Sequence, residues 1–453
     1  MTSLNNAALS QHRSPQVDLI HKGIALASLP GNTVTLAAAC AHSGISPEIA
    51  QEFFADDAAY LDALKGELIQ LFHAQVSFPN TTDLETGLRE LFFAYVSFAR
   101  TAPSYFSAMS SLFVASSDFM ETDSLDLHPM IRYTRELVKQ AAPTASPWLQ
   151  TTRTLALFSS IHGSAHLCAI GILRHLREGA RNRSLNAAIT HVIAGINDSL
   201  TTECGLTMAP KAYAGAAEFP VVPPALFFPK NTPEESAMAL FRGAVEDVLA
   251  VGVDNISIES AATRAELPLN VARGLLHADI PFVKQLENHL DALSTQVLKA
   301  QMAAVPEGEP LICYGKASAL GYIGCAMMDP VGFEVYIEVS SGSIVPNSFE
   351  KSDGSFEMGD AFALLVDLVR ECIVQGGGPK NTLVLYESTL SLWSYSHGIA
   401  HSFSCGPFRN LPWQEKFSYI SPLVDISIGS LVHRLQLDIP GVEMAPVLGP
   451  TGR

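Results

Sequence analysis

The chain has 453 residues, 48% of them hydrophobic, and a formal net charge of −17. This composition is sufficient for buried cores, contains no run long and apolar enough to span a bilayer, and makes most of the surface repel polyanions. Any nucleic-acid contact is therefore expected to be local. The N-terminus lacks the pattern of a secretory signal, and seven scattered cysteines without a Cys-x-x-Cys pair argue against disulfides or a zinc knuckle. We expect a soluble cytoplasmic protein.

The first predicted elements form a helix-turn-helix. Apolar residues at helical spacing predict a helix over 17–29, which a Pro-Gly-Asn cluster ends. A threonine can cap a short helix over 36–42, Gly44 is suited to a tight turn, and Ser46 followed by Pro is typical of the start of another helix. Two short helices joined by a Gly-containing turn are typical of a helix-turn-helix motif.

Longer helices are predicted to follow. Their ranges are 83–98, 104–115, 130–141, 147–175 and 183–200. A Pro- and Ala-rich segment over 208–233 cannot continue a helix and indicates a linker. In the second half, 333–340 alternates like a strand, but its match to 106–113 favours a helix, and the Ser/Gly/Asp-rich segment over 342–359 is predicted to be a loop.

Three blocks of the first half recur in the second half in the same order. Residues 35–46 correspond to 257–268, 94–106 to 321–333, and 154–166 to 389–401, with offsets of 222, 227 and 235. An offset that only grows is what short loop insertions between fixed helices would leave. The chain is therefore predicted to contain two diverged copies of one helical unit.

The turn of the second helix-turn-helix differs from the first. Glu266 stands where the first copy has Gly44. A residue with a side chain would need a positive φ at this position, which costs on the order of 1 kcal/mol. We expect this turn to be remodelled.

The order of these motifs resembles a known family. A helix-turn-helix, a helix ending in Ala-x-x-x-Pro-x-x-Phe, and a later helix with Trp393, His397 and Gly398 in a Trp-x-x-x-His-Gly motif are similar to TetR-type repressors with a Trp-His-Gly ligand-binding domain. The first copy departs from the motif, with Phe158 in the Trp position. The resemblance covers nearly the whole chain, twice.

The resemblance implies an all-α fold made of two tandem TetR-like units that form a pseudo-dimer within one chain. The resemblance therefore implies a monomer rather than a homodimer. The implied domains are a degenerate helix-turn-helix domain (17–70), a helical ligand-binding domain (82–205), a linker (206–233), a second helix-turn-helix domain (234–292) and a second ligand-binding domain (308–440).

The function implied is that of a ligand-responsive, DNA-binding transcriptional regulator. In the family, a Thr, a Tyr and a Lys at the recognition helix contact phosphates, and the first copy has Ile49, Gln51 and Asp57 at these positions. Over 17–70, two basic residues stand against seven acidic ones, a balance of −5. Because basic residues supply most non-specific DNA affinity, the first copy is not expected to read DNA.

The second copy is the better candidate for double-stranded DNA. Asn270 and Arg273 can pair with base edges, and Ser257 can meet a phosphate. The alternative interpretation is that these are solvated surface residues. The protein would then be a pseudo-repressor that has lost DNA binding and serves as a small-molecule- or partner-binding protein.

The resemblance also points to a pocket for an apolar or aromatic small molecule. Most candidates at helical spacing would be ordinary core residues. The candidates for ligand binding are Phe98, Tyr105, Phe106, His162, Tyr322, Phe333, Trp393 and His397.

Each copy also places two histidines four residues apart, His162 with His166 and His397 with His401. Such pairs can ligate a metal, but the first histidine of each pair belongs to the His-Gly motif, and no nearby carboxylate is seen in the sequence. We therefore predict no metal and no cofactor. No phosphate loop, nucleophile elbow or His-Glu-x-x-His motif occurs, and the protein is predicted not to be an enzyme.

Overall fold

The fold is helical, as predicted. The computed structural model describes residues 14–29, 32–81, 83–115, 119, 127–201, 204–208, 236–342, 359–438 and 442–446. These residues form eighteen α-helices, two 3₁₀ turns and one two-stranded ribbon. Most of the predicted loop over 342–359 and most of the predicted linker over 206–233 lie outside the described residues.

The first half contains nine helices and one strand. They are α1 (Pro15–Ala27), α2 (Leu36–Ser43), α3 (Pro47–Gln51), α4 (Asp57–Gln75), α5 (Leu84–Thr101), α6 (Pro103–Leu112), α7 (Pro129–Ala141), α8 (Pro147–Ala169), α9 (Glu178–Thr201) and β1 (Cys204–Met208). A 3₁₀ turn over Ile172–His175 follows α8, so the helix predicted to reach residue 175 ends earlier.

The second half repeats this order. Its elements are α10 (Ser236–Val251), α11 (Ile258–Arg264), α12 (Leu269–Gly274), α13 (Phe282–Ala303), α14 (Leu311–Met328), α15 (Pro330–Gly342), α16 (Asp360–Gln375), α17 (Thr382–Ser404), α18 (Trp413–Leu435) and β2 (Val442–Pro446). Both ends of α17 lie 235 residues after those of α8, and both ends of α14 lie 227 residues after those of α5. The segment 333–340, which alternates like a strand, lies within α15.

Polar caps set many of these boundaries. Thr35 caps α2, Ser46 caps α3 and Ser146 caps α8, each by accepting a hydrogen bond from the backbone N–H three residues later. Pro follows both Ser46 and Ser146, and its fixed φ suits the first helical position. These short-range interactions explain why the helix starts could be predicted from the sequence.

The turn of the second helix-turn-helix keeps the left-handed residue of the first but is closed by different hydrogen bonds. Gly44 has a φ of 72° and Glu266 a φ of 54°. The expected positive φ is present, and the turn is remodelled around it. The N–H of Gly44 bonds to the carbonyl of Cys40, whereas the N–H of Glu266 bonds to that of Thr263 and the N–H of Leu267 to that of Ala262. A second change follows at Pro268, which stands at the cap position of Ser46 and offers no side-chain acceptor.

The two halves pack against each other through their last two long helices. α8 lies along α17, and α9 lies along α18 and also contacts α17. β1 and β2, one strand from each half, pair antiparallel with Leu206 opposite Met444. The core at this junction therefore belongs to both halves.

α14 contradicts the prediction that the chain has no apolar run long enough to span a bilayer. It is the single described helix that is long and apolar enough to cross a membrane by length and composition, with a mean hydropathy of 1.2, so the prediction that no such run exists was wrong. About two thirds of it is buried against other helices. Its Lys316 lies 2.6 Å from Asp425 on α18, which is an arrangement typical of a core helix.

Candidate binding site between the two halves

Two glycines allow α8 and α17 to approach closely at the junction. A Cβ on Gly163 would collide with the backbone of Ser394 and Gly398, and a Cβ on Gly398 would collide with the backbone of Ser159 and Gly163. The relationship is reciprocal, as at a twofold interface. It brings the histidine pairs of the two helices face to face.

The four histidines form two reciprocal hydrogen bonds across the junction. Nε2 of His162 lies 2.9 Å from Nδ1 of His401, and Nε2 of His397 lies 2.9 Å from Nδ1 of His166. The rings of His166 and His401 are 4.1 Å apart, centroid to centroid. All four side chains are buried.

A tyrosine from each half extends this network. The hydroxyl of Tyr95 lies 3.1 Å from Nδ1 of His162, and the hydroxyl of Tyr322 lies 3.0 Å from Nδ1 of His397. Tyr95 also lies 3.4 Å from Nε2 of His128, the residue that caps α7. The tyrosines are related by the same offset of 227 as the blocks that contain them.

A buried carboxylate faces the two central histidines. Oε2 of Glu334, on α15, lies 3.4 Å from Nε2 of His166, and Oε1 lies 3.5 Å from Nε2 of His401. Glu334 is only 6% exposed. The prediction that no carboxylate lies near these histidines was therefore wrong.

Burial and mutual proximity control the charges of this cluster. Burial lowers the pKa of His401 to about 3 and that of His162 and His397 well below the usual value, and neighbouring histidines add to the effect. Burial would raise the pKa of Glu334, but His401 and His166 lower it to about 2. The imidazoles of His162, His397 and His401 are therefore neutral near neutral pH, and the carboxylate of Glu334 is ionised.

The cluster forms part of the lining of a half-open cleft of ≈ 720 Å³. The first helix-turn-helix domain, predicted over 17–70, is called the first head from here on. Its residues, including Ala27, Leu61 and Lys65, form one wall of the cleft. His166, Glu334 and His401 lie on the side of the junction, together with Cys405. The cleft therefore connects the first helix-turn-helix domain to the contact between the two halves.

The lining of the cleft is not symmetric. Ser107 occupies the position in α6 that Glu334 occupies in α15, at the same offset of 227, and it also lines the cleft. The equivalent of Cys405, at the offset of 235, is Ile170. Arg174 and Arg409 are a matched pair at this offset. The junction is thus built from equivalent positions, but a single half supplies the carboxylate.

The residues predicted to bind a ligand lie behind this site. Phe106 stacks on His162 at 5.2 Å, and Phe333 stacks on His397 at 5.6 Å. Phe98, Phe106, His162, Tyr322, Phe333 and His397 are buried, while Tyr105 and Trp393 are partly buried. None of these eight lines the cleft. Five of them support the junction: His162 and His397 bond to His401 and His166, Tyr322 bonds to His397, and Phe106 and Phe333 stack on His162 and His397.

The residues predicted to contact DNA lie on the second helix-turn-helix domain, predicted over 234–292, which is called the second head. Asn270 and Arg273 are exposed on α12, and Nη2 of Arg273 lies 2.6 Å from Oε1 of Glu259. Ser257 caps α11 by accepting a hydrogen bond from the N–H of Ser260, 3.1 Å away. In the first head, Asp57 accepts a hydrogen bond from the N–H of Leu36.

A comparison of the chain with protein-family models gives no match, and a comparison with curated proteins gives none either.

Proposed function

We propose that the protein binds a small molecule and that its helix-turn-helix heads have lost DNA binding. The observation that carries this proposal is the cleft of ≈ 720 Å³ at the junction. Its volume falls in the range of roughly 300–1,000 Å³ that is usual for small-molecule sites. Because the first head forms one wall, a bound molecule would contact this head and also the helices of both halves at the junction.

The lining favours a polar ligand. Ser104 and Ser107 lie on α6, and Arg174, Arg409 and Glu334 line the same space. A second, apolar cavity lies within the second half among Ile312, Leu365 and Val369, but its volume is only ≈ 40 Å³. A cavity known to bind benzene in a protein core has a volume of about 150 Å³, so the larger cleft is the better candidate site.

The charges of the heads argue against DNA binding. In the described part of the second head, 236–292, four basic residues stand against eight acidic ones, a balance of −4. Three of the four basic residues pair with carboxylates of the same head: Arg264 with Asp247, Arg273 with Glu259 and Lys284 with Glu287. Such a surface has little positive charge to offer to phosphates.

In the first head, the recognition helix α3 has no basic residue at all. Glu48 is exposed on α3, and Glu52 and Asp56 are exposed just beyond its end. These carboxylates would face the duplex if α3 approached a groove, and they would repel it.

The first test measures DNA binding directly. Full-length protein is incubated with genomic fragments at low salt, where electrostatic binding is strongest. We expect no enrichment of any duplex. Enrichment that is lost in Arg273→Ala but kept in Gln51→Ala would contradict the proposal.

The second test measures ligand binding. Full-length protein is screened against small polar acids and alcohols by thermal shift. Ser107→Trp, which fills the cleft, should abolish any shift. The matched control is Ser97→Trp, an exposed position on α5 outside the cleft. A shift that survives Ser107→Trp would place the ligand elsewhere.

A second candidate function is a ligand-responsive transcriptional regulator that reads DNA through its second head. The exposure of Asn270 and Arg273 on α12 favours it. Under either function we propose a cytoplasmic location, which suits the free thiols of the six described cysteines.

A further inference from the structure

Three side chains of the types that bind transition metals converge at the floor of the cleft. His166 comes from α8, Glu334 from α15 and His401 from α17. One potential ligand atom of each lies within 4.8 Å of those of the other two, and all three residues are buried. No two of these helices are neighbours in the sequence, and the three belong to both halves of the chain.

We propose that His166, Glu334 and His401 form a binding site for one divalent transition-metal ion of the zinc class. Neutral imidazole nitrogens and a carboxylate oxygen are ligands that suit such ions. The site is distinct from the residues that the sequence predicted for ligand or DNA binding. It does not depend on whether the heads bind DNA.

The distances fit a shared ion better than direct hydrogen bonds. Zinc lies about 2.0–2.1 Å from imidazole nitrogen and about 2.0–2.2 Å from carboxylate oxygen, so two tetrahedral ligands stand about 3.3–3.5 Å apart. The two histidine–Glu334 distances are 3.4 and 3.5 Å, whereas an N–H···O bond is usually about 2.9–3.0 Å. Oε1 of Glu334 is buried and makes no hydrogen bond in the structure.

The second ring nitrogens of His166 and His401 have hydrogen-bond partners, as in known metal sites. In such sites the second ring nitrogen of each ligating histidine bonds to an outer partner that fixes the ring. Here Nδ1 of His166 meets His397, and Nδ1 of His401 meets His162, at 2.9 Å each. The outer histidines are held in turn by Tyr322 and Tyr95. Both ligating rings are therefore oriented before an ion arrives.

Three protein ligands leave coordination positions for water or for a bound molecule. Such open sites differ from structural zinc sites, which have four protein ligands. Since all three ligands line the cleft, a small molecule in the cleft could complete the coordination. Cys405 also lines the cleft, but its Sγ–H donates a hydrogen bond to the carbonyl of Pro330, 3.4 Å away, so we do not include it among the ligands.

The experiment is a titration of the full-length, chelator-treated protein with Zn²⁺ alone by calorimetry, followed by Co²⁺ as a spectroscopic probe. We expect one ion per chain. The Co²⁺ complex should show ligand-field bands of low coordination and no thiolate charge-transfer band. The absence of a one-to-one event would overturn the proposal, and a thiolate band would overturn the ligand set.

The variants identify the ligands. Glu334→Gln and His401→Gln should each weaken Zn²⁺ binding by more than about 100-fold, beyond the roughly 10- to 100-fold loss expected when an outer partner is removed. Glu338→Gln is the matched control, because Glu338 lies one turn along α15 and lines the same cleft without belonging to the cluster. Equal affinities for Glu334→Gln and Glu338→Gln would overturn the proposal.

A variant of Tyr322, which bonds to the outer histidine His397, still tests the proposal if a ligand variant does not fold. Tyr322→Phe removes one hydroxyl that supports His397 and should weaken Zn²⁺ binding about 10-fold with the stoichiometry unchanged. Circular dichroism without metal would report whether each variant is folded. Unchanged Zn²⁺ affinity in a folded Tyr322→Phe would contradict the role of the outer histidines.

Discussion

Gly163 of α8 and Gly398 of α17 lie against each other at the centre of the junction, and neither position has room for a Cβ. Each would place its Cβ on the backbone of the opposite helix rather than on a flexible side chain. The close approach that they allow is what brings four histidines from two halves into one network.

The first prediction concerns this crossing. Gly163→Ala should lower the free energy of unfolding by about 2–4 kcal/mol, because the two backbones must move apart and the packing around them is lost. Gly398→Ala should cost a similar amount. Gly66→Ala is the control, since a Cβ there has nothing within 4 Å, and it should stabilise α4 by about 0.5–1 kcal/mol. Urea unfolding followed by circular dichroism measures all three, and similar effects at Gly163 and Gly66 would contradict the tight crossing.

The second prediction concerns the tyrosines that bond to the histidines. Tyr322→Phe should cost about 1–3 kcal/mol, because Nδ1 of buried His397 loses its partner. Tyr95→Phe should cost more, since its hydroxyl lies near both His162 and His128. Tyr133→Phe breaks a comparable bond to His73 at the surface and should cost less than about 1 kcal/mol. Thermal unfolding would rank the three variants, and the reverse order would be inconsistent with the buried network.

The third prediction is a pH dependence of stability from His191 on α9. Burial, and then Arg434, lower its pKa to about 3, and Nε2 lies 2.9 Å from the carbonyl of Ser427 on α18. Between the unfolded pKa of about 6.5 and the folded value, the unfolded chain binds a proton that the folded chain does not. Stability from this group is therefore complete above about pH 7 and is lost as the pH falls, by about 2 kcal/mol at pH 5.

The variant His191→Gln keeps a donor for the carbonyl but cannot take up a proton. Between pH 7 and pH 5 its free energy of unfolding should fall by about 2 kcal/mol less than that of the unmodified protein. His42→Gln, at an exposed position on α2, serves as the control. Parallel pH profiles for the protein and His191→Gln would rule out this contribution.

The fourth prediction concerns the acidic first head. Glu48→Lys with Glu52→Lys removes two negative charges and adds two positive ones, which raises the balance over 17–70 from −5 to −1. Non-specific DNA affinity should rise and should fall steeply with salt, because counterions are released when basic residues meet phosphates. Glu307→Lys with Glu309→Lys makes the same charge change outside the heads. Fluorescence anisotropy with a random duplex tests the pair, and an equal gain in both would show that only net charge matters.

The fifth prediction concerns assembly. α8 packs against α17 and α9 against α18, so these four helices join the two halves within one chain. We expect a monomer of 48.6 kDa by light scattering. If a protease site is inserted within 209–235 and cut, the two fragments should remain together in size-exclusion chromatography, because the junction is a shared hydrophobic core. A dimer of the intact chain, or separation after cutting, would contradict internal pairing.

The sequence by itself determined the helices and their duplication. Caps such as Thr35 and Ser46 act within a few residues, so they can be recognised without a structure. The repeat also identified Glu266 as the equivalent of Gly44, and its positive φ follows from that equivalence. The histidine pairs were visible for the same reason, since a spacing of four residues places them on one helix face.

Only the tertiary structure decided what those histidines face. Glu334 lies 168 residues after His166 and 67 before His401 in the sequence, and nothing in its own helix distinguishes it from Glu338. Whether it points at the junction depends on how α15 packs against helices of both halves. Burial then makes the carboxylate and the two imidazoles interact strongly, because little water remains to screen them. A helical repeat can be recognised from the spacing of residues in the sequence, whereas a site shared by three helices forms only when those helices have packed together.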